Sequence, residues 1–134
     1  VQTCALPILQ IWVVPNEVNT EPDYQQVHID EADKRGKLHL IISPKGGEKT
    51  LSIKQDINIY SGLFDGEETA DFVIPDGRYV YLHVAKGRVD VNGKTFNTGD
   101  AARIREGGSL SFTNGDNAEI LIFDMRPEEV PTMP

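Results

Sequence analysis

Turns, more than any other feature, limit what this chain can become. Asp65-Gly66, Asp76-Gly77, Lys86-Gly87, Asn92-Gly93, Thr98-Gly99-Asp100, Gly107-Gly108 and Asn114-Gly115-Asp116 follow one another at short intervals. Glycine and asparagine tolerate the positive φ that tight turns demand, so each group marks a place where the chain can reverse. The segments between them have room for strands of ordinary length and for no long helix. Val89-Asp90-Val91-Asn92-Gly93-Lys94-Thr95-Phe96 is the clearest hairpin, with Asn92-Gly93 suited to a type I′ turn.

The upstream half carries the same signature less regularly. Residues 9–14 form a β-rich apolar run stopped by Pro15, and residues 16–23 form a polar loop. Residues 24–29 read as a short strand, and residues 30–37 as a polar turn or one helical turn. Residues 38–42 are a strand ended by the breaker cluster Ser43-Pro44-Lys45-Gly46-Gly47. Leu51, Ile53, Ile57 and Ile59 alternate with polar residues, and Gln55-Asp56 suggests a kink or bulge between them. Residues 118–123 are a final apolar strand, and the proline-rich stretch after Arg126 reads as a frayed tail. Many short strands with regular turns imply an all-β sandwich or barrel.

At 134 residues the chain has one domain's length, enough for a single core without disulfide or metal staples. Its lone cysteine, Cys4, excludes an internal disulfide framework and a cysteine-rich zinc site. The net charge of -8 argues against a nucleic-acid partner, because no basic patch is present to neutralise phosphates. Lys34, Arg35 and Lys37 are the densest basic group and read as a solvated turn. No apolar stretch approaches the roughly 20 residues that a membrane-spanning helix needs. The expected setting is the cytoplasm, with a small molecule or another protein as partner and no contact with nucleic acid or membrane.

The first eight residues, VQTCALPI, fit nothing that follows them. A codon run encoding them resembles a common short-read sequencing adapter. The expectation is therefore an artefact over residues 1–8, with the natural sequence starting near Leu9 in mid-gene.

Residues 87–114 carry a recognisable signature. Gly99, Gly107 and Asn114 fall at the spacing G-x5-P-x-G-x2-H-x3-N, which resembles the second cupin motif. The motif's proline position is Arg105, and its histidine position is Leu110. With Gly87 closing the first motif, the glutamate position is Val80, and the paired histidines would fall at Ile74 and Asp76 or at Val73 and Pro75. A cupin metal needs about three or four nitrogen and oxygen ligands. Val80 and Leu110 supply neither, so both are degenerate ligand positions. The resemblance implies a cupin double-stranded β-helix, a jelly-roll barrel, whose motif spacing survives without its metal chemistry.

The wider pattern resembles the pirin family, in the bacterial branch similar to quercetin 2,3-dioxygenase. It is carried by Leu9-Gln10-Ile11-Trp12-Val13-Val14-Pro15, then Pro22, Tyr24 and Gln26, then Ser52, Gln55-Asp56 and Tyr60, and finally Glu119-Ile120-Leu121-Ile122-Phe123-Asp124. Members resemble bicupins whose N-terminal half holds a histidine–glutamate metal site and whose C-terminal half usually lacks ligands. The resemblance implies that residues 25–126 are the C-terminal cupin and residues 127–134 a tail. Residues 9–24 would be the end of a missing N-terminal cupin plus linker. It also implies iron or another divalent metal in that missing half and none here. The intact protein would be a dioxygenase acting on flavonol-type molecules, with this half as its structural partner. The alternative is a redox- or metal-sensing regulatory protein of the same family without turnover.

Individual residues leave few other openings. His28, His39 and His83 are the only histidines, and none lies at a cupin ligand position. If Val80 points inward, Leu82 and Val84 share its face, while Tyr79, Tyr81 and His83 take the other. Val80, Leu82, Leu110 and Phe112 are then expected to fill the interior. Gln55 and Asp56 could form a polar ligand pocket with Tyr60, or a bulge whose side chains satisfy backbone groups. Trp12 could stack a ligand, or anchor a core or a domain interface. Asp65, Glu67 and Glu68, with Glu128 and Glu129, read as solvated surface. No catalytic or cofactor-binding residue is assigned in this chain.

Overall fold

The structure, a computed structural model, describes residues 7–127. Residues 1–6 of the expected artefact, and all of the expected tail except Pro127, lie outside the described residues. One short helix, α1 (Glu31–Lys34), precedes eight strands. They are β1 (Leu38–Ser43), β2 (Leu51–Ser52), β3 (Ile57–Phe64), β4 (Ala70–Ile74), β5 (Tyr79–Val91), β6 (Lys94–Asn97), β7 (Ala101–Ile104) and β8 (Gly108–Met125).

Strands β5 and β8 build the fold because each belongs to two layers. The first part of β5 pairs with the last part of β8, and β3 and β7 flank that pair. β1 and β2 extend this layer beyond β3. The second layer joins the start of β8 to β4 and the end of β5 to β6. The hydrogen-bonded path β2-β1-β3-β8-β5-β6 is open, not closed into a ring. Phe64, Val80, Leu82, Val84, Ile120 and Ile122 face inward from the first layer. Phe72, Ile74, Val89, Val91, Leu110 and Phe112 meet them from the second. Phe64 and Phe112 stack across the gap with centroids 5.5 Å apart. This is the all-β jelly-roll architecture expected from the sequence.

Two expected turns prove to lie inside strands. Lys86-Gly87 sits within β5 and Asn114-Gly115-Asp116 within β8, where Lys86 pairs with Glu119 and Arg88 with Asp116. The register shifts at both, as it does at bulges where long strands bend from one layer to the next. Glycine is required at both for close approach, and at Gly87 also for its φ of 74°. A Cβ on Gly87 would stand 2.2 Å from the Asn117 carbonyl oxygen, and one on Gly115 would stand 2.5 Å from that of Phe64. Asn92-Gly93, in contrast, is the expected two-residue hairpin, with φ of 51° and 80° and Val91 facing Lys94.

Two expected strands are absent. Residues 9–14 are in no strand; they are tethered where Gln55 Nε2 donates to the Val14 carbonyl (2.8 Å) and Asn16 N donates to the Lys54 carbonyl (2.7 Å). β-propensity describes fit to a paired, half-buried surface, and this run has no neighbouring strand to pair with. Residues 24–29 also form no strand. There the Gln25 side chain takes over the ladder's work, accepting from Ser52 N (2.9 Å) and donating to Ser52 O (3.0 Å). The expected helical turn is α1. Its basic neighbours are held by partners: Lys34 lies 3.7 Å from Glu119 and Arg35 3.2 Å from Glu68, so this is an ion-paired corner more than a freely solvated turn. No helix among the described residues is long and apolar enough to cross a membrane.

Candidate functional site

The barrel interior is the first place to look for chemistry. β5 alternates as the pleat requires: Val80, Leu82 and Val84 are buried, while Tyr79, Tyr81 and His83 are half-buried on the opposite face. Val80 is 2% exposed and Leu110 is 5% exposed. Both belong to one packed cluster with Ile74, Phe72, Leu82 and Phe112. Of the histidine-pair positions, Ile74 faces this core, whereas Val73, Pro75 and Asp76 are exposed. Metal coordination needs converging nitrogen, oxygen or sulfur donors; Val80, Leu110 and Ile74 present hydrocarbon, and the one carboxylate among these positions, Asp76, is exposed. The residues present do not fit the family's metal. Among the described residues, no group of three or more histidine, cysteine, aspartate or glutamate side chains could hold an ion.

The histidines are not brought together. His28 is exposed and lies 3.0 Å from Asp30. His39 Nε2 contacts the Lys49 carbonyl at 2.9 Å. His39 and His83 occupy one row across the sheet, His39–Ser61–Leu121–His83. Three strand spacings separate them, about 14 Å, too far to share an ion.

At one end of the interior the carbon core gives way to an ionic group. Asp124 lies across from Val80 on β5 and from Asn58 on β3. Arg78 donates from Nε to Asp124 Oδ1 (2.7 Å) and from Nη2 to the Asp124 carbonyl (3.0 Å). Its Nη1 donates to Asp56 Oδ2 (2.8 Å), and Asn58 Nδ2 donates to Asp124 Oδ2 (3.3 Å). Burial alone would depress the guanidinium's pKa, but the hydrogen bonds to Asp124 and Asp56 outweigh it and hold the pKa above its ordinary value. Tyr60 stands beside this group with its ring edge-to-face on Phe72, centroids 5.1 Å apart. Burial, and then the Asp124 carboxylate, push its hydroxyl above the usual tyrosine range.

Gln55, Asp56 and Tyr60 therefore do not converge on a shared ligand pocket. Gln55 serves the backbone, donating to Val14 O and accepting from Asp56 N (2.8 Å), while Asp56 serves Arg78. The expected backbone role holds for Gln55 alone: the pair lies in a bend between β2 and β3, not in a strand bulge, and the Asp56 side chain pairs with a guanidinium. Sequence reasoning missed Arg78 and Asp124 as a pair, because nothing local links residues 46 positions apart.

The opposite face of the same strands carries a concavity. A cleft of about 540 Å³ runs over Tyr79, Tyr81, Phe123 and Met125, between residues 11–14 and β7. Arg103 and Arg105 stand along its β7 side. Trp12 lies at its lip and is 87% exposed, so of the two anchoring roles expected for it, core or domain interface, it does not fill the first.

Comparison with known proteins gives this geometry a context. The family model described as the quercetinase C-terminal cupin domain matches residues 40–125. A quercetin 2,3-dioxygenase of Escherichia coli (strain K12) is 31% identical over 122 residues, covering 91% of this chain and 52% of that protein. The crystal structure of YhhW from Escherichia coli superposes with a TM-score of 0.78 at 28% identity, covering 90% of this chain and 50% of that one. Bacterial pirin YhhW in complex with nickel(II) superposes with a TM-score of 0.75 at 27% identity, covering 85% and 48%. The chain spans about half the length of the relatives it matches.

Proposed function

The chain belongs to the pirin family as a C-terminal cupin domain of the quercetinase type, and from that premise we propose that it is the metal-free structural half of a longer two-cupin protein. The observation that carries this reading is the pair Val80 and Leu110, packed hydrocarbon at two of the positions that the motif spacing assigns to ligands. Residues 25–126 form the structural cupin, and residues 9–24 join it to an upstream cupin. That upstream half packs against the exposed apolar side chains Trp12 and Val14. The intact protein is a cytoplasmic, metal-dependent dioxygenase of flavonol-type substrates, and its metal, iron or another divalent ion, resides in the upstream half. The present half contributes no ligand and no catalytic residue; it supports the pair and shapes its entrance.

Two measurements test this. The present chain, purified and dialysed, is expected to hold no stoichiometric iron, nickel or copper by elemental analysis. One tightly held equivalent would overturn the reading of Val80 and Leu110. The longer protein, recovered with its upstream sequence, is expected to contain metal and to consume a flavonol under oxygen. An upstream half without a histidine–glutamate cupin would sink the enzyme assignment. Metal content without turnover would favour the redox- or metal-sensing regulatory alternative.

A further inference from the structure

The cleft on the outer face has a chemistry of its own, and the inference drawn from it does not rest on the reading above. Its floor is aromatic: Tyr81 and Phe123 meet edge to face with centroids 5.9 Å apart. Beside them the Arg105 guanidinium lies 5.4 Å over the Tyr79 ring. Arg103 stands directly across the β5–β7 ladder from Tyr81. A cavity of about 540 Å³ falls within the range of small-molecule sites, which are apolar and aromatic with a few placed polar groups.

The charges are the telling part. The chain carries 21 acidic and 13 basic residues, so a basic side chain has carboxylates in excess around it. Arg35, Arg78 and Arg88 are all matched to carboxylates. The Arg103 and Arg105 guanidinium groups, both exposed, have no hydrogen bond or ion pair among the described residues. Asp56, the only carboxylate lining the cleft among the described residues, is already engaged by Arg78 at 2.8 Å. Two unmatched guanidiniums therefore stand beside a row of rings, with no free carboxylate in the lining.

We propose that this cleft binds a planar aromatic anion, a molecule of about two rings bearing one carboxylate- or sulfonate-like group. Its rings lie on Tyr79, Tyr81 and Phe123, and its anionic group takes the paired hydrogen bonds that guanidinium geometry favours from Arg103 and Arg105. Concavity favours a small molecule over a protein face, since a stable protein contact buries about 800 Å² per partner over a broader surface.

The chain contains its own reporter, because Trp12 at the lip is its one tryptophan. Titration with 8-anilino-1-naphthalenesulfonate is expected to quench Trp12 saturably by energy transfer, with one site per chain. The neutral analogue N-phenyl-1-naphthylamine shares the rings but lacks the sulfonate. The double variant Arg103→Gln, Arg105→Gln is expected to bind the sulfonate about tenfold more weakly and the neutral dye as before. Both positions are exposed, so an unchanged urea midpoint is expected to confirm that the variant is folded. Amide-shift mapping is expected to place the sulfonate on β7 and the start of β5. No saturable binding, binding indifferent to the arginines, or shifts scattered over the molecule would overturn the proposal. Binding confined to the cleft but indifferent to the arginines would mark it as an apolar contact face for an upstream half.

Discussion

Arg78 Nε lies 2.7 Å from Asp124 Oδ1, and Asp124 in turn lies directly across the β5–β8 ladder from Val80. The position that the motif spacing assigns to a glutamate thus holds an apolar side chain next to a buried carboxylate already neutralised by arginine. Hydrocarbon fills the middle of the interior, and a closed ionic group seals one end.

Replacing Asp124 with alanine removes two hydrogen bonds that only its carboxylate supplies and leaves Arg78, itself 17% exposed, with Asp56 as its one carboxylate partner among the described residues. Uncompensating a largely buried charge costs about 3 kcal/mol. Asp56→Ala removes a partner that is 47% exposed, and screening holds that loss to about 1 kcal/mol or less. Urea unfolding of both variants checks the ranking. Equal losses would mean that the group behaves as an ordinary surface network.

Val80→Glu restores the motif's residue type and is expected to fail as a metal site. The new carboxylate would enter a carbon cluster opposite Asp124, whose partner Arg78 is already engaged by two carboxylates. Burying it unpaired is expected to lower stability by more than about 3 kcal/mol. Val80→Ala only opens a small cavity and is expected to cost about 1–3 kcal/mol. Thermal unfolding with and without added nickel separates the cases. A nickel-dependent rise in Tm for the glutamate variant would contradict the expectation.

Gly87 and Gly66 both have positive φ, at 74° and 63°, yet they differ in what surrounds them. A Cβ on Gly87 would meet three backbone atoms of Asp116 and Asn117 within 2.5 Å, whereas one on Gly66 would meet nothing within 4 Å. Gly66→Ala is therefore expected to cost about 1 kcal/mol from backbone conformation alone. Gly87→Ala forces apart the two long strands where they bend and is expected to cost more than about 4 kcal/mol or prevent folding. Soluble yield and urea midpoints compare the two.

These cases show what was legible in the sequence. The inward set Val80, Leu82, Leu110 and Phe112 followed from the strand period and the motif spacing, and the structure buries all four. The Asn92-Gly93 hairpin followed from turn chemistry. Gly87 and Gly115 misled, because close approach between strands selects glycine as strongly as a turn does, and only the three-dimensional path distinguishes them. Residues 9–14 misled because strand propensity is realised only beside a partner strand. The Arg78–Asp124 pair and the unmatched Arg103 and Arg105 could not be read from the chain, since each depends on which strands the fold sets side by side.

The last prediction concerns alkaline pH and Tyr60. Its hydroxyl pKa is raised above the ordinary 10.0, first by burial and then by the Asp124 carboxylate, with Arg78 opposing. A group whose folded pKa is raised contributes stability that is fully present below its unfolded pKa and is lost as pH rises through the folded value. Stability is accordingly expected to fall as pH rises from about 10. Lysine titration also acts in that range, so the Tyr60 contribution is isolated by Tyr60→Phe, which keeps the edge-to-face contact with Phe72 and removes the ionisable group. The difference in urea midpoint between the wild-type chain and the phenylalanine variant is expected to shift against the wild type above pH about 10. Tyrosinate absorbance gives an independent check, because in the wild-type spectrum one of four tyrosines should ionise late and this late phase should vanish in the variant. A pH-independent difference between the two chains would mean that the Tyr60 hydroxyl reaches water freely in the folded state.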